Sequence, residues 1–122
     1  MFRIAMAVHE LLENAIKYSL DDASQVRIEI RAGKRRISIR TDNRASGASI
    51  GAVRDMIRRI HEADDPFEFY CNLVRASAER DEQSGLGLAR ICAEAGLELD
   101  SDVTGDHVSI TADAPIERVS AL

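Results

Sequence analysis

Apolar positions recur at helical spacing from the start of the chain. Ile4, Ala5, Val8, Leu11, Leu12, Ala15 and Ile16 form one stripe between residues 2 and 19, the pattern of an amphipathic helix. Asp21 and Asp22 end it, and the period then changes to two. Val26, Ile28 and Ile30 alternate with charged residues, which predicts a half-buried strand over 25–32. Ala32-Gly33-Lys34-Arg35 supplies a turn, and Ile37 and Ile39 carry the alternation on over 35–42, so the two segments form a hairpin. Residues 43–51 are small and polar and read as a loop. Ile50, Val53, Ile57 and Ile60 predict a helix near 50–62.

Asp65-Pro66 is a helix start, an N-cap followed by proline in the first turn. Phe67, Tyr70, Leu73 and Val74 give that helix its expected core stripe. Glu79 to Ser84 is a charged stretch without a period. Residues 87–94 read as a further helix, closed by Gly96 at its C-cap. Leu97, Leu99 and Val103 predict a strand, Thr104-Gly105-Asp106 a turn, and Val108 and Ile110 the returning strand. Helix, hairpin, helices, hairpin is the order of an α+β two-layer sandwich, with helices on one face of a mainly antiparallel sheet.

The 122 residues suit one domain, which buries roughly two-thirds of its unfolded surface without needing staples. A net charge of −5 argues against nucleic acid or an anionic membrane surface as partner. The basic cluster of Arg31, Lys34, Arg35 and Arg36 reads as a solvated hairpin tip. Cys71 and Cys92 lie in apolar helical patterns, where buried free thiols are the ordinary outcome, and no metal-ligand spacing is present. No apolar run reaches membrane-spanning length and no signal peptide is visible, so a cytoplasmic protein is expected.

The first helix carries polar residues on one narrow face. With Glu10 at zero, Asn14 falls at about 40° and Lys17 at about −20°, roughly opposite the apolar arc. A solvated face with i,i+4 pairing explains this from composition alone. Against that, Asn is a weak helix former, and Glu and Asn at i,i+4 present oxygens in one direction, as a magnesium site with few protein ligands requires. A second feature is Ser84-Gly-Leu-Gly-Leu-Ala89, where a charged loop becomes a helix. Its glycines are either a tight turn with Leu86 and Leu88 buried, or a loop whose backbone N–H groups approach phosphate at a helix N-terminus.

Taken together and in this order, His9-Glu-Leu-Leu-Glu-Asn-Ala-Ile-Lys-Tyr-Ser19 and Ser84-Gly-Leu-Gly-Leu-Ala89 resemble the N-box and second glycine box of the GHKL ATP-binding superfamily, which includes histidine kinases, gyrase and MutL. The resemblance implies a histidine-kinase-like ATPase fold, ATP and Mg2+ as cofactors, and roles for particular residues. Asn14 would coordinate magnesium through its amide oxygen. Glu10 would be the catalytic residue, orienting or deprotonating the attacking water or hydroxyl. Lys17 would face the phosphates, and Gly85, Leu86, Gly87 and Leu88 would form the phosphate loop. Asp42, at the end of the second hairpin strand, or its neighbour Asn43 would hydrogen-bond the base.

The chain departs from the superfamily at three points. Arg44 and Ser46 stand where relatives have the glycines of the first glycine box, and Gln83 stands where they have a further glycine of the second. Met1 lies shortly before Glu10, so the first strand is absent or lies upstream; an uncovered sheet edge of that kind invites pairing with another chain and implies a possible homodimer. The arrangement is similar to the SiaB-type protein kinases and to anti-sigma-factor serine/threonine kinases. That implies an ATP-binding switch protein that phosphorylates a protein partner, an anti-sigma antagonist-like substrate, or holds a sigma factor. The alternative is an interaction module that has kept the fold and lost the nucleotide.

Overall fold

A computed structural model describes residues 2–20, 26–80 and 86–115. The elements run α1 (Phe2–Lys17), β1 (Arg27–Ala32), β2 (Arg36–Arg44), α2 (Gly47–Glu62), α3 (Pro66–Arg80), α4 (Leu86–Ala95), β3 (Glu98–Thr104) and β4 (His107–Pro115). The four strands form one antiparallel sheet in the order β1-β2-β4-β3. The helices pack on one of its faces, as the sequence pattern predicts. The two hairpins are joined through their second strands, β2 and β4, with Ile39 opposite Ala112 and Thr41 opposite Ile110.

Strand parity decides what each face carries. On β2, Ile39, Thr41 and Asn43 are buried toward the helices, whereas Arg36, Arg40 and Arg44 are exposed on the other face. β4 repeats the pattern with Val108, Ile110, Ala112 and Ala114 inward. The two alanines leave room for helices to approach the sheet closely. Leu11 and Ala15 of α1, Ile57 and Ile60 of α2, and Leu88 and Ile91 of α4 fill the layer between. Fully burying a side chain of this size contributes about 1.5–3 kcal/mol. α1 packs against both α4 and β2, α2 against α4 and β3, and α3 against α4.

Three backbone details match the turn chemistry. Gly96 has φ 69° just after α4, the left-handed C-cap, and Gly105 has φ 62° in the β3–β4 turn. Phe67 and Glu68 donate their N–H groups to the Asp65 carboxylate, which caps α3. Two further backbone hydrogen bonds join separate segments, one from the chain just past α1 to the end of β2 and one from the β2–α2 junction to the β3–β4 turn. Leu20 N–H donates to the Arg44 carbonyl and Ala45 N–H to the Asp106 carbonyl, each at 2.8 Å.

Several expectations need correcting. The segment expected to be a loop from Asn43 to Gly51 is not one. β2 runs on to Arg44, and α2 starts at Gly47, because Ser46 caps it by accepting the Ser49 N–H at 3.1 Å. In α3 the expected core stripe is only partly buried: Phe67 is 57% and Val74 41% exposed, while Phe69, Tyr70 and Leu73 pack on the core. α3 rests on α4 rather than on the sheet, so a narrower face suffices. Ile16 and Ile30 are also well exposed.

Candidate functional site

Because α1 lies beside α4, its polar face meets the beginning of α4. Between them is a hollow of about 400 Å³, lined by Glu10, Glu13, Asn14, Lys17 and Tyr18 of α1 and its end, Tyr70 of α3, and Leu86, Gly87 and Arg90 of α4. Glu10, Asn14 and Lys17 thus share one wall, and two of the four residues of the Gly-Leu run lie opposite. Gly85 lies outside the described residues. Leu88 is buried and faces a second, apolar hollow of about 190 Å³ with Ala52, Val53 and Met56 of α2. Asn14 and Tyr18 line both hollows, so a polar compartment and an apolar one share a wall.

Glu10 sits at the centre of the contacts. Its side chain is only 15% exposed, and Arg90 approaches its Oε1 at 3.3 Å. Arg90 also holds Glu94, Nε to Oε2, at 2.7 Å. Glu94 is the main reason the guanidinium pKa lies above its ordinary value; slight burial opposes this and Glu10 adds to it. A Cβ on Gly87 would overlap Glu10 Oε2, so a glycine at this position lets the carboxylate reach the first turn of α4. Tyr70 stays a neutral phenol: burial raises its pKa, and the Glu94 and Glu10 charges add to that against Arg90. Lys17 lies 5.4 Å from the Tyr18 ring centroid, in cation–π range. His9 is on the exposed side and pairs with Glu13 at 3.3 Å.

The lining carries both signs, with Glu10 and Glu13 facing Lys17 and Arg90. Lys17 and Arg90 supply positive charge, Asn14 an amide oxygen, and the start of α4 a helix N-terminus, where unpaired N–H groups favour anions. Among the described residues, His9, Glu10 and Glu13 offer ligand atoms within 4.8 Å of one another, although His9 and Glu13 are exposed and such clusters commonly carry no metal.

The two residues expected at the base are divided between the sheet faces. Asp42 does not join the hollow. It is on the outer face, where Ser109 Oγ and Arg40 Nε donate to its carboxylate, among Arg27, Glu29 and Arg31. Partial burial pushes its pKa up, but the Ser109 and Arg40 hydrogen bonds and the charges of Arg40 and Arg27 outweigh this and hold it below the ordinary value. The reason for its position is parity: with Ile37 and Ile39 inward, residues 41 and 43 are inward too. Asn43 is accordingly buried on the helix side, its Nδ2 donating to the Arg44 carbonyl at 3.1 Å. Thr41 beside it is fully buried, and its Oγ1 has no hydrogen-bond partner among the described residues. Arg44 turns outward and grips Asp106 through Nε at 3.0 Å and its terminal nitrogen at 2.6 Å.

Arg90, Tyr18 and Tyr70 were not foreseen. Arg90 follows Gly87 by three residues, hence shares its helix face, and that spacing was the one available signal. No helix among the described residues is long and apolar enough to cross a membrane. No protein-family model matches the chain, and no curated protein matches it either.

Proposed function

We propose that this chain is an ATP-binding regulatory switch, a serine/threonine protein kinase of the anti-sigma type acting on a partner protein in the cytoplasm. The observation that carries the reading is the meeting of Glu10, Asn14 and Lys17 with Leu86 and Gly87 around one hollow. Bound ATP with magnesium would supply the transferable phosphoryl group. Asn14 would hold the metal, Lys17 and Arg90 the phosphates, and Glu10 would accept the proton of the partner's hydroxyl. The apolar compartment formed by Val53, Met56 and Leu88 suits the base, with Asn43 rather than Asp42 on the same side of the sheet. Catalysis by such a site rests on positioning and charge neutralisation.

The grip of Arg90 on Glu10 favours a second reading, an interaction module without nucleotide, because it neutralises the carboxylate that a kinase needs free. Thermal melts with and without magnesium-ATP separate the two. A ligand that binds only the folded state raises the midpoint by mass action, about 2.7 kcal/mol at a hundredfold excess over Kd. We expect a rise that Asn14→Ala removes. An unmoved midpoint at millimolar ATP decides for the interaction module.

A further inference from the structure

The two edges of the sheet differ in their chemistry. β1 and β3 are the outer strands, and among the described residues nothing pairs with their free sides. On β3 the face away from the helices carries Glu98, Asp100 and Asp102. Two copies of β3 laid together bring acid against acid, which protects that edge. β1 instead carries both signs, Arg27, Glu29 and Arg31, and contains no proline. Its helix-side positions are Ile28, Ile30 and Ala32, and the helices leave Ile30 51% exposed.

The hydrogen-bonding direction of β1 is fixed by its partner. Gly33 N–H donates to the Arg36 carbonyl at 2.8 Å, and in an antiparallel ladder the bonded positions alternate. Arg31, Glu29 and Arg27 therefore bond toward β2, whereas Ile28, Ile30 and Ala32 turn their N–H and C=O groups outward. We propose that β1 is the seam of a homodimer, in which a second copy adds its own β1 antiparallel, with Ile30 against Ile30 on the two-fold axis. Ile30 then exchanges hydrogen bonds with its counterpart, and Ile28 does so with Ala32 of the second copy. On the opposite face Glu29 meets the second copy's Arg31, twice by symmetry. In the single chain these two residues pair with each other along the strand; across the seam they exchange partners. Centring on Glu29 or Arg31 would bring like charges together. Centring on Ile28 would pair Glu29 with Arg27 instead, and would leave Arg31 beyond the matched charges. The proposal is independent of nucleotide binding.

Sedimentation velocity of the full chain at rising concentration and low salt tests the seam. We expect a monomer–dimer equilibrium. Two symmetry-related cross-strand ion pairs set the scale, so Arg31→Glu should weaken it about tenfold. The double exchange Glu29→Arg with Arg31→Glu should restore it. Arg27→Glu, opposite Gly33 in this register, should change it little, and Ile30→Lys should abolish it. Circular-dichroism melts of each variant report folding separately. A monomer at every concentration overturns the proposal. So does a dimer indifferent to Arg31→Glu, a dimer broken by Arg27→Glu alone, or growth beyond the dimer.

Discussion

Glu10 and Gly87 depend on each other. The carboxylate occupies the space that a side chain at Gly87 would need, and the glycine backbone is not in the left-handed region, so alanine fits there as backbone. Gly87→Ala should gain up to about 1 kcal/mol of helix propensity while displacing the flexible end of Glu10. We expect a melting temperature equal to or above wild type together with loss of any magnesium-ATP shift, measured in the same melts. A large fall in stability would show that Glu10 cannot move aside. Cys92 is the second residue with a sharp consequence. Burial, against a weaker hydrogen bond at Leu99, raises its thiol pKa to about 11. The folded pKa is above that of a free thiol, about 8.5, so its contribution to stability is full below that value and is lost as pH rises toward 11. At pH 8 a thiol reagent should spare Cys92 in the folded chain and label it on unfolding, as mass spectrometry of the digest would show.

Elements were legible wherever periodicity and turn chemistry agreed. The stripe of α1, the alternation of β1 and β2, Asp65-Pro66 and Gly96 each specify a boundary through local physics. Gly96→Ala puts a Cβ into the left-handed cap (φ 69°) and should cost about 1 kcal/mol, read as a lower midpoint in urea with unchanged slope. The segment at 43–51 misled because composition and geometry disagree there. Ala45, Ser46 and Gly47 look like loop residues, yet the Ser46 hydroxyl starts a helix at once. α3 misled for a different reason: how much of its face is covered depends mainly on α4, with Arg59 of α2 over the Phe69 ring, and sequence does not state the width of a neighbour.

At the scale of the molecule, legibility of the candidate site followed sequence distance. Glu10, Asn14 and Lys17 could be grouped from helical geometry alone. Their meeting with Gly87 required the two-motif order and a correct guess of helix adjacency. Arg90 joins Glu10 only through folding, and before that it is one of many helix-surface charges. The Ile37 and Ile39 alternation already implies that Asp42 faces outward, so parity rather than nearness to the strand end decides its side of the sheet. Arg44 likewise turns to the outer face, where it pairs with Asp106.

The paired 2.8 Å bonds from Leu20 to Arg44 and from Ala45 to Asp106 form a clasp whose parts are synthesised far apart in time. In a chain emerging from the ribosome the Leu20 bond can form once β2 is made, whereas the Ala45 bond waits for the β3–β4 turn. The first hairpin is therefore joined to α1 well before it is joined to the second, and contacts of such long separation slow folding. The β2–α2 junction must therefore stay open to Asp106 until the second hairpin has formed.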